Sequence, residues 1–191
     1  MLLILLYFVA LCCGKVVLWD FTTNATTSSF SESSDTVRNV GMSKATFSLI
    51  ESQEVRRAVL QTLLNPQPNG ACFAGVESAL EFPDWSSFMN LSLVARGQGE
   101  FSMFKVVLRD QDGISSGSSF EKLFQASGSF AQFDLALNQF GCVFRGKSCD
   151  STLDVRAIEK FGLQAAGLFD SSPNEMQKGA AALEVKSIWL S

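Results

Sequence analysis

Residues Phe130–Phe169 read FAQFDLALNQFGCVFRGKSCDSTLDVRAIEKFGLQAAGLF, and their alternation decides the fold. Phe133, Leu135 and Leu137 are interleaved with Gln132, Asp134, Ala136 and Asn138. Apolar side chains at every second residue give a strand with one buried face. Gly141, Cys142, Gly146 and Cys149 interrupt the pattern, after which Leu153, Val155, Ala157, Phe161, Leu163 and Leu168 resume it. The expectation is two sheet-forming halves joined by a cysteine-flanked crossing.

The same period runs outward in both directions. Val16–Phe21 is the first expected strand. Ala45, Phe47 and Leu49 point inward in a second, and Ala58, Leu60 and Leu64 in a third, with Thr62 breaking the face. Ala71–Val76 is short and apolar. Leu91, Leu93 and Ala95 alternate with Asn90, Ser92 and Arg96, and Phe104, Val106 and Leu108 with Lys105, Val107 and Arg109. Ala180–Leu190 closes a sheet. Between the runs lie Asn65-Pro66-Gln67-Pro68-Asn69-Gly70, whose amides are expected to cap their own turn or to touch a ligand, and the corner Pro83-Asp84-Trp85. Asp110–Ser119 is expected as a solvated hairpin loop. It lacks the acidic twelfth ligand of a calcium loop. A helical turn is expected at most at Glu159–Leu163 or Phe120–Phe124. About nine to eleven short strands with turn signals between them predict an all-β fold, an antiparallel β-sandwich or jelly roll.

The chain has 191 residues, 47% of them hydrophobic and 18% charged, a balance that fits one folded domain rather than a disordered chain. Met1–Gly14 (MLLILLYFVALCCG) is apolar but shorter than the roughly 20 residues a bilayer span needs. It ends in small residues and carries no Arg. Residues 1–15 are therefore expected to be a secretory signal peptide, cut between Cys13 and Val16, ahead of a single domain at 16–191 with no membrane span. Asn24-Ala25-Thr26 and Asn90-Leu91-Ser92 are N-glycan acceptor patterns. Outside the leader stand Cys72, Cys142 and Cys149. In an exported chain Cys142 and Cys149 are the natural pair and Cys72 a buried thiol; three reduced thiols are the alternative.

The net charge is -4 and the pI about 4.9, and the longest basic cluster is Arg56-Arg57, which argues against nucleic acid as a partner. The chain contains no His. That removes Ser-His-Asp triads, Cys-His pairs and imidazole metal sites, and no metal or other cofactor is expected. A carboxylate enzyme would have to bring together residues such as Asp35, Asp84, Glu100 and Asp134. Nothing in their spacing pairs them, so the chain is expected not to be an enzyme.

Five blocks carry a family resemblance: DTVRNVGMSKATFSL from Asp35, LLNPQPNGACFAGV from Leu63, RGQGEFSMFKVVLR from Arg96, FDLALNQFGCVFRGKSCDSTLDVRAIEKFGLQ from Phe133 and ALEVKSIWL from Ala182. In this order they resemble the thirty-kilodalton complex I intermediate-associated protein family from Leu18 to Leu190. The resemblance implies a galactose-binding-like β-sandwich, an architecture shared with carbohydrate-binding modules, and a founding member that is a non-catalytic chaperone of mitochondrial complex I assembly. This chain departs from the family in having Val40-Gly41 where the family has a glycine pair, and in its secretory-type leader. The expected function is a non-catalytic secreted interaction module engaging a protein partner. The alternatives are a lectin-like glycan binder or a mitochondrial complex I assembly factor. The expected interaction surface is Asp35, Arg38, Ser43, Lys44, Asn65, Gln67, Asn69 and Arg145, with Asp35 and Arg145 as a structural ion pair in the alternative. Trp19 and Trp85 are the candidate aromatic platform, and Trp189 is expected buried in the last strand.

A C-terminally tagged chain should leave the cell in glycosylated form, so that glycosidase increases its gel mobility and Asn24→Gln removes most of that shift. A tag that co-localises with mitochondria contradicts export.

Overall fold

The computed structural model describes residues 14–37, 41–167 and 176–191. Residues 1–13 of the expected leader, Arg38 and Leu168 lie outside the described residues. Thirteen strands form two antiparallel sheets. In chain order these are β1 (Val16–Asp20), β2 (Ser31–Glu32), β3 (Lys44–Glu51), β4 (Arg56–Leu64), β5 (Phe73–Ala79), β6 (Asn90–Gly99) and β7 (Met103–Asp110). There follow β8 (Ser119–Gln125), β9 (Ala131–Ala136), β10 (Gly141–Phe144), β11 (Lys147–Ser148), β12 (Ile158–Ala166) and β13 (Gly179–Leu190). One sheet has the order β3-β4-β13-β6-β9, with β1 also paired to β13; the other runs β11-β10-β8-β7-β12-β5-β2. Among the described residues no helix is long and apolar enough to cross a membrane.

The alternation places one row of each strand between the sheets. Leu91, Leu93 and Ala95 of β6 and Leu183, Val185, Ile188 and Leu190 of β13 face Phe104, Val106 and Leu108 of β7 and Phe161, Leu163 and Ala165 of β12 in one continuous core. Trp19 and Phe30 extend it at one end: the Trp19 ring centroid lies 5.0 Å from Phe161 and 5.2 Å from Phe30. Apolar area removed from water drives this assembly at roughly 25 cal/mol per Å².

Four expectations change. Asp110–Ser119 is the exposed connection of the β7–β8 hairpin, as expected, but not a loop. Its centre is a six-residue helix, α1 (Gln111–Ser116), because the buried Asp110 carboxylate accepts the Gly113 N–H at 2.7 Å and Gly117 closes the other end in the left-handed conformation. Glu159–Leu163 and Phe120–Phe124 are strand rather than helix, held in β12 and β8 by pairing on both sides. The crossing between sheets precedes the cysteines: β9 pairs with β6, a 3-10 turn at Leu137–Gln139 follows, and β10 joins β8 in the other sheet. The cysteine segment is then a hairpin at that sheet's edge, β10 against β11, closed by a Cys142–Cys149 disulfide. Finally, Trp85 is 0% exposed, and its Nε1–H donates to the Phe82 carbonyl at 2.8 Å, so it is core and cannot be a platform.

Cys72 is buried and unbridged. Burial pushes its thiol pKa up; the Ser43 hydroxyl opposes this, the Asp35 charge adds to it and the Gly167 N–H opposes it. The net result is a protonated, inert thiol at neutral pH.

Trp85→Ala should cost about 3–5 kcal/mol of unfolding free energy in chemical denaturation, as expected for a fully buried large ring. A loss below about 1 kcal/mol would place Trp85 at the surface.

Candidate binding face

The early motif proves to be a structural staple. Asp35 is fully buried, and its carboxylate accepts from Ser43 N–H (2.9 Å), Ser43 Oγ–H (2.7 Å) and Phe73 N–H (3.2 Å). Ser43 Oγ in turn accepts the Asn65 N–H at 3.1 Å. One carboxylate thus ties the segment after β2 to the starts of β3 and β5 and to the end of β4. Gly41 is required here, since a Cβ at that position would lie 2.1 Å from the Asp35 carbonyl oxygen. Asn65, Gln67 and Asn69 belong to the same knot: Gln67 Nε2–H donates to the Asn65 carbonyl at 3.0 Å and Asn69 Oδ1 accepts the Ala71 N–H at 3.1 Å. Lys44 is exposed, 3.6 Å from Glu32.

The alternative ion pair between Asp35 and Arg145 does not form. The two residues sit at opposite edges of the seven-stranded sheet, Asp35 just after β2 and Arg145 at the β10–β11 turn. Asp35 is satisfied by backbone and hydroxyl donors, while the exposed Arg145 guanidinium lies 5.1 Å from the Phe144 ring. Trp19, the other platform candidate, is half-buried against Phe30 and Phe161, and Trp189 is 6% exposed. Asn24 sits exposed in the turn after β1. Asn90 is half-buried at the start of β6, with Ser92 buried and donating to Asp134 at 2.6 Å. The candidate catalytic carboxylates each answer a local group: Asp84 accepts Ser86 N–H, Glu100 accepts Ala180 N–H, Asp134 accepts Ser92 Oγ–H, and Asp35 holds the staple.

The outer faces of the two sheets differ in kind. On the six-stranded sheet, Glu184 is 5% exposed between Arg57 and Arg96, the latter at 2.9 Å. The Phe130 ring takes Arg96 at 4.8 Å and Lys186 at 4.3 Å, and Lys15 lies 3.8 Å from the Trp189 ring centroid. The long side chains of that face lie down on one another.

On the seven-stranded sheet a shallow groove, with a cavity volume of about 10 Å³, lies over β5, β12 and β7, among Ser33, Glu77, Val107, Arg109, Lys160 and Gln164 around Gly162. Register makes it: Gly162 stands opposite Glu77 on one side and Val107 on the other. A Cβ at 162 would come 2.9 Å from the Val76 carbonyl oxygen, so glycine keeps the floor at backbone height. Glu77 lies between two cations, Lys160 Nζ at 2.6 Å and Arg109 Nε at 3.8 Å. Arg109 Nη1–H donates to the Ser118 carbonyl at 2.6 Å and Gln164 Nε2–H to the Ser33 carbonyl at 3.4 Å. Farther along the face, Lys105 pairs with Glu121 at 2.5 Å. These groups are oriented before any ligand arrives, which lowers the ordering cost of binding. Sequence reasoning showed Lys105 and Arg109 pointing outward but did not single out Glu77, Lys160 or Gln164.

The chain belongs to the family of Complex I intermediate-associated protein 30, whose model matches residues 19–185. Its fold is that of carbohydrate-binding modules. It is similar to the family 11 carbohydrate-binding module from Clostridium thermocellum in complex with a beta-1,3-1,4-mixed-linked tetrasaccharide. That likeness has a TM-score of 0.68 at 13% identity, covering 93% of this chain and 95% of that one. The same family's module from the cellulosomal cellulase Lic26A-Cel5E of Clostridium thermocellum gives 0.66 at 14% identity, over 93% and 94% of the two chains. A family 30 module of cellulosomal cellulase Cel9D-Cel44B of Clostridium thermocellum gives 0.60 at 8% identity, over 93% and 96%. No curated protein matches the chain.

Asp35→Ala should lower stability by about 2–4 kcal/mol, because it strands buried donors that met a charged acceptor. The variant should still bind whatever the groove binds. A loss of binding without a loss of stability would return Asp35 to the interaction surface.

Proposed function

We propose that the chain is a non-catalytic binding module exported through the secretory pathway, and that it holds a carbohydrate chain in the groove over β5, β12 and β7. The observation that carries this reading is the set of fixed polar groups, Glu77, Arg109, Lys160 and Gln164, ranged around a floor kept flat by Gly162. Donors and acceptors held beside a level strip suit a row of ring hydroxyls. The likeness to a module seen in complex with a tetrasaccharide supports the same reading. Its non-catalytic character is supported by the absence of His and by carboxylates already committed to local partners. Export is supported by the leader, by the Cys142–Cys149 bridge and by the exposed turn that carries Asn24. The complex I assembly role that the family name carries would need mitochondrial import, and the leader has no Arg.

A protein partner is the second reading, and one observation favours it. The ring that borders the groove, Phe161, is fully buried, so no aromatic platform is offered for a sugar to stack on.

A glycan array probed with the mature chain should show binding to at least one oligosaccharide class. Arg109→Ala should weaken that binding about ten- to a hundredfold, the scale of a lost hydrogen bond to a charged group, while Lys147→Ala on the distant hairpin leaves it unchanged. A folded chain that binds nothing on the array contradicts the carbohydrate reading and leaves the protein partner.

A further inference from the structure

We infer that the groove is built for a ligand bearing an anionic group, a carboxylate or a sulfate, on its carbohydrate chain. This rests on the binding-module reading above. The charged residues lining the groove are two cations, Arg109 and Lys160, and one carboxylate, Glu77. Among the described residues, Glu77 is the only acid that forms an ion pair with either cation. Its single charge is shared between Lys160 Nζ at 2.6 Å and Arg109 Nε at 3.8 Å, so one positive charge is left over. Farther along the face Lys105 and Glu121 cancel each other, which confines the surplus to the groove itself.

That surplus runs against the net charge of the whole chain, -4, although the opposite sheet also sets two cations, Arg57 and Arg96, around one carboxylate, Glu184. Local complementarity of this kind selects a partner more than it adds raw affinity. The geometry also leaves donors to use. Lys160 spends one of its three N–H groups on Glu77, and Arg109 spends Nη1 on the Ser118 carbonyl, which fixes the plane of the guanidinium beside the Gly162 floor. With Nε toward Glu77 and Nη1 on Ser118, Arg109 Nη2 is left to donate to a carboxylate or a sulfate. In the unliganded groove Glu77 acts as a placeholder that keeps both cations in position.

The test is calorimetric titration of the mature, disulfide-bonded chain with three probes of equal length: a neutral mixed-linked glucan tetrasaccharide, a uronate tetrasaccharide and a sulfated tetrasaccharide. At least one acidic probe should bind about tenfold or more tightly than the neutral one, and added salt should erode the difference. Which acidic probe wins decides between carboxylate and sulfate. Glu77→Gln should tighten acidic binding, a gain that misfolding cannot mimic, and Lys160→Gln should weaken it at unchanged melting temperature. Equal binding of the neutral probe, with no gain in Glu77→Gln, overturns the anionic ligand and keeps the binding module. Silence to all three probes overturns the anionic ligand together with the carbohydrate reading and leaves the protein partner.

Discussion

The sandwich hangs on β13. This strand pairs with β6 along nearly its whole length on one side, and on the other it pairs first with β4 and then with β1. An irregularity between Val185 and Ser187 makes the handover possible: the extra residue, Lys186, turns outward while Ile188 and Leu190 stay in the core. Leu183, Val185, Ile188 and Leu190 are all fully buried, so a one-residue slip would turn the row toward water and cost three strands their partner at once.

From that fixed frame follows the contrast between the two outer faces. Glu184 and Lys186 project outward from β13 itself, and Arg57, Arg96, Phe130 and Glu184 close over the six-stranded sheet as ion pairs and cation–aromatic contacts. Such a face packs its long side chains against one another, with Arg57 and Arg96 on one carboxylate and Lys186 on the Phe130 ring. The seven-stranded sheet has instead a glycine at its centre, where a side chain would fill the space, and charged groups ranged on both sides of the gap. Rigid strands hold these groups, and strands position side chains more tightly than loops do. The Asp35 staple matters here indirectly, since it anchors the start of β5, the strand that carries Glu77.

How much of this could be read from residues alone differs from level to level. The two-residue period of Phe133–Leu137, Leu91–Ala95 and Phe104–Leu108 made the strands and the sandwich legible, because one-sided burial writes itself into local order. The Cys142–Cys149 pair was legible from its close spacing, read together with the expected export. The helix at Gln111–Ser116 was missed because its signal was short: an aspartate before it and a glycine after it in a polar run that also suits a loop. Trp85 beside Pro83 looked like an exposed corner, but the ring turns back into the core. Asp35 and Ser43 suggested a surface and are instead buried together in a hydrogen-bonded knot. The groove was the least legible part. Glu77, Arg109 and Lys160 lie far apart in sequence and meet only because β5, β12 and β7 are neighbours, a pairing that no local pattern encodes.

The claim on which the account rests is that ligand is held on one particular face. Backbone amide resonances of the isotopically labelled mature chain, followed while an oligosaccharide is added, test it most directly. The account predicts shifts concentrated at Glu77, Val107, Arg109, Lys160, Gly162 and Gln164. Shifts clustered instead around Glu184, Phe130 and Trp189 on the opposite sheet would contradict it.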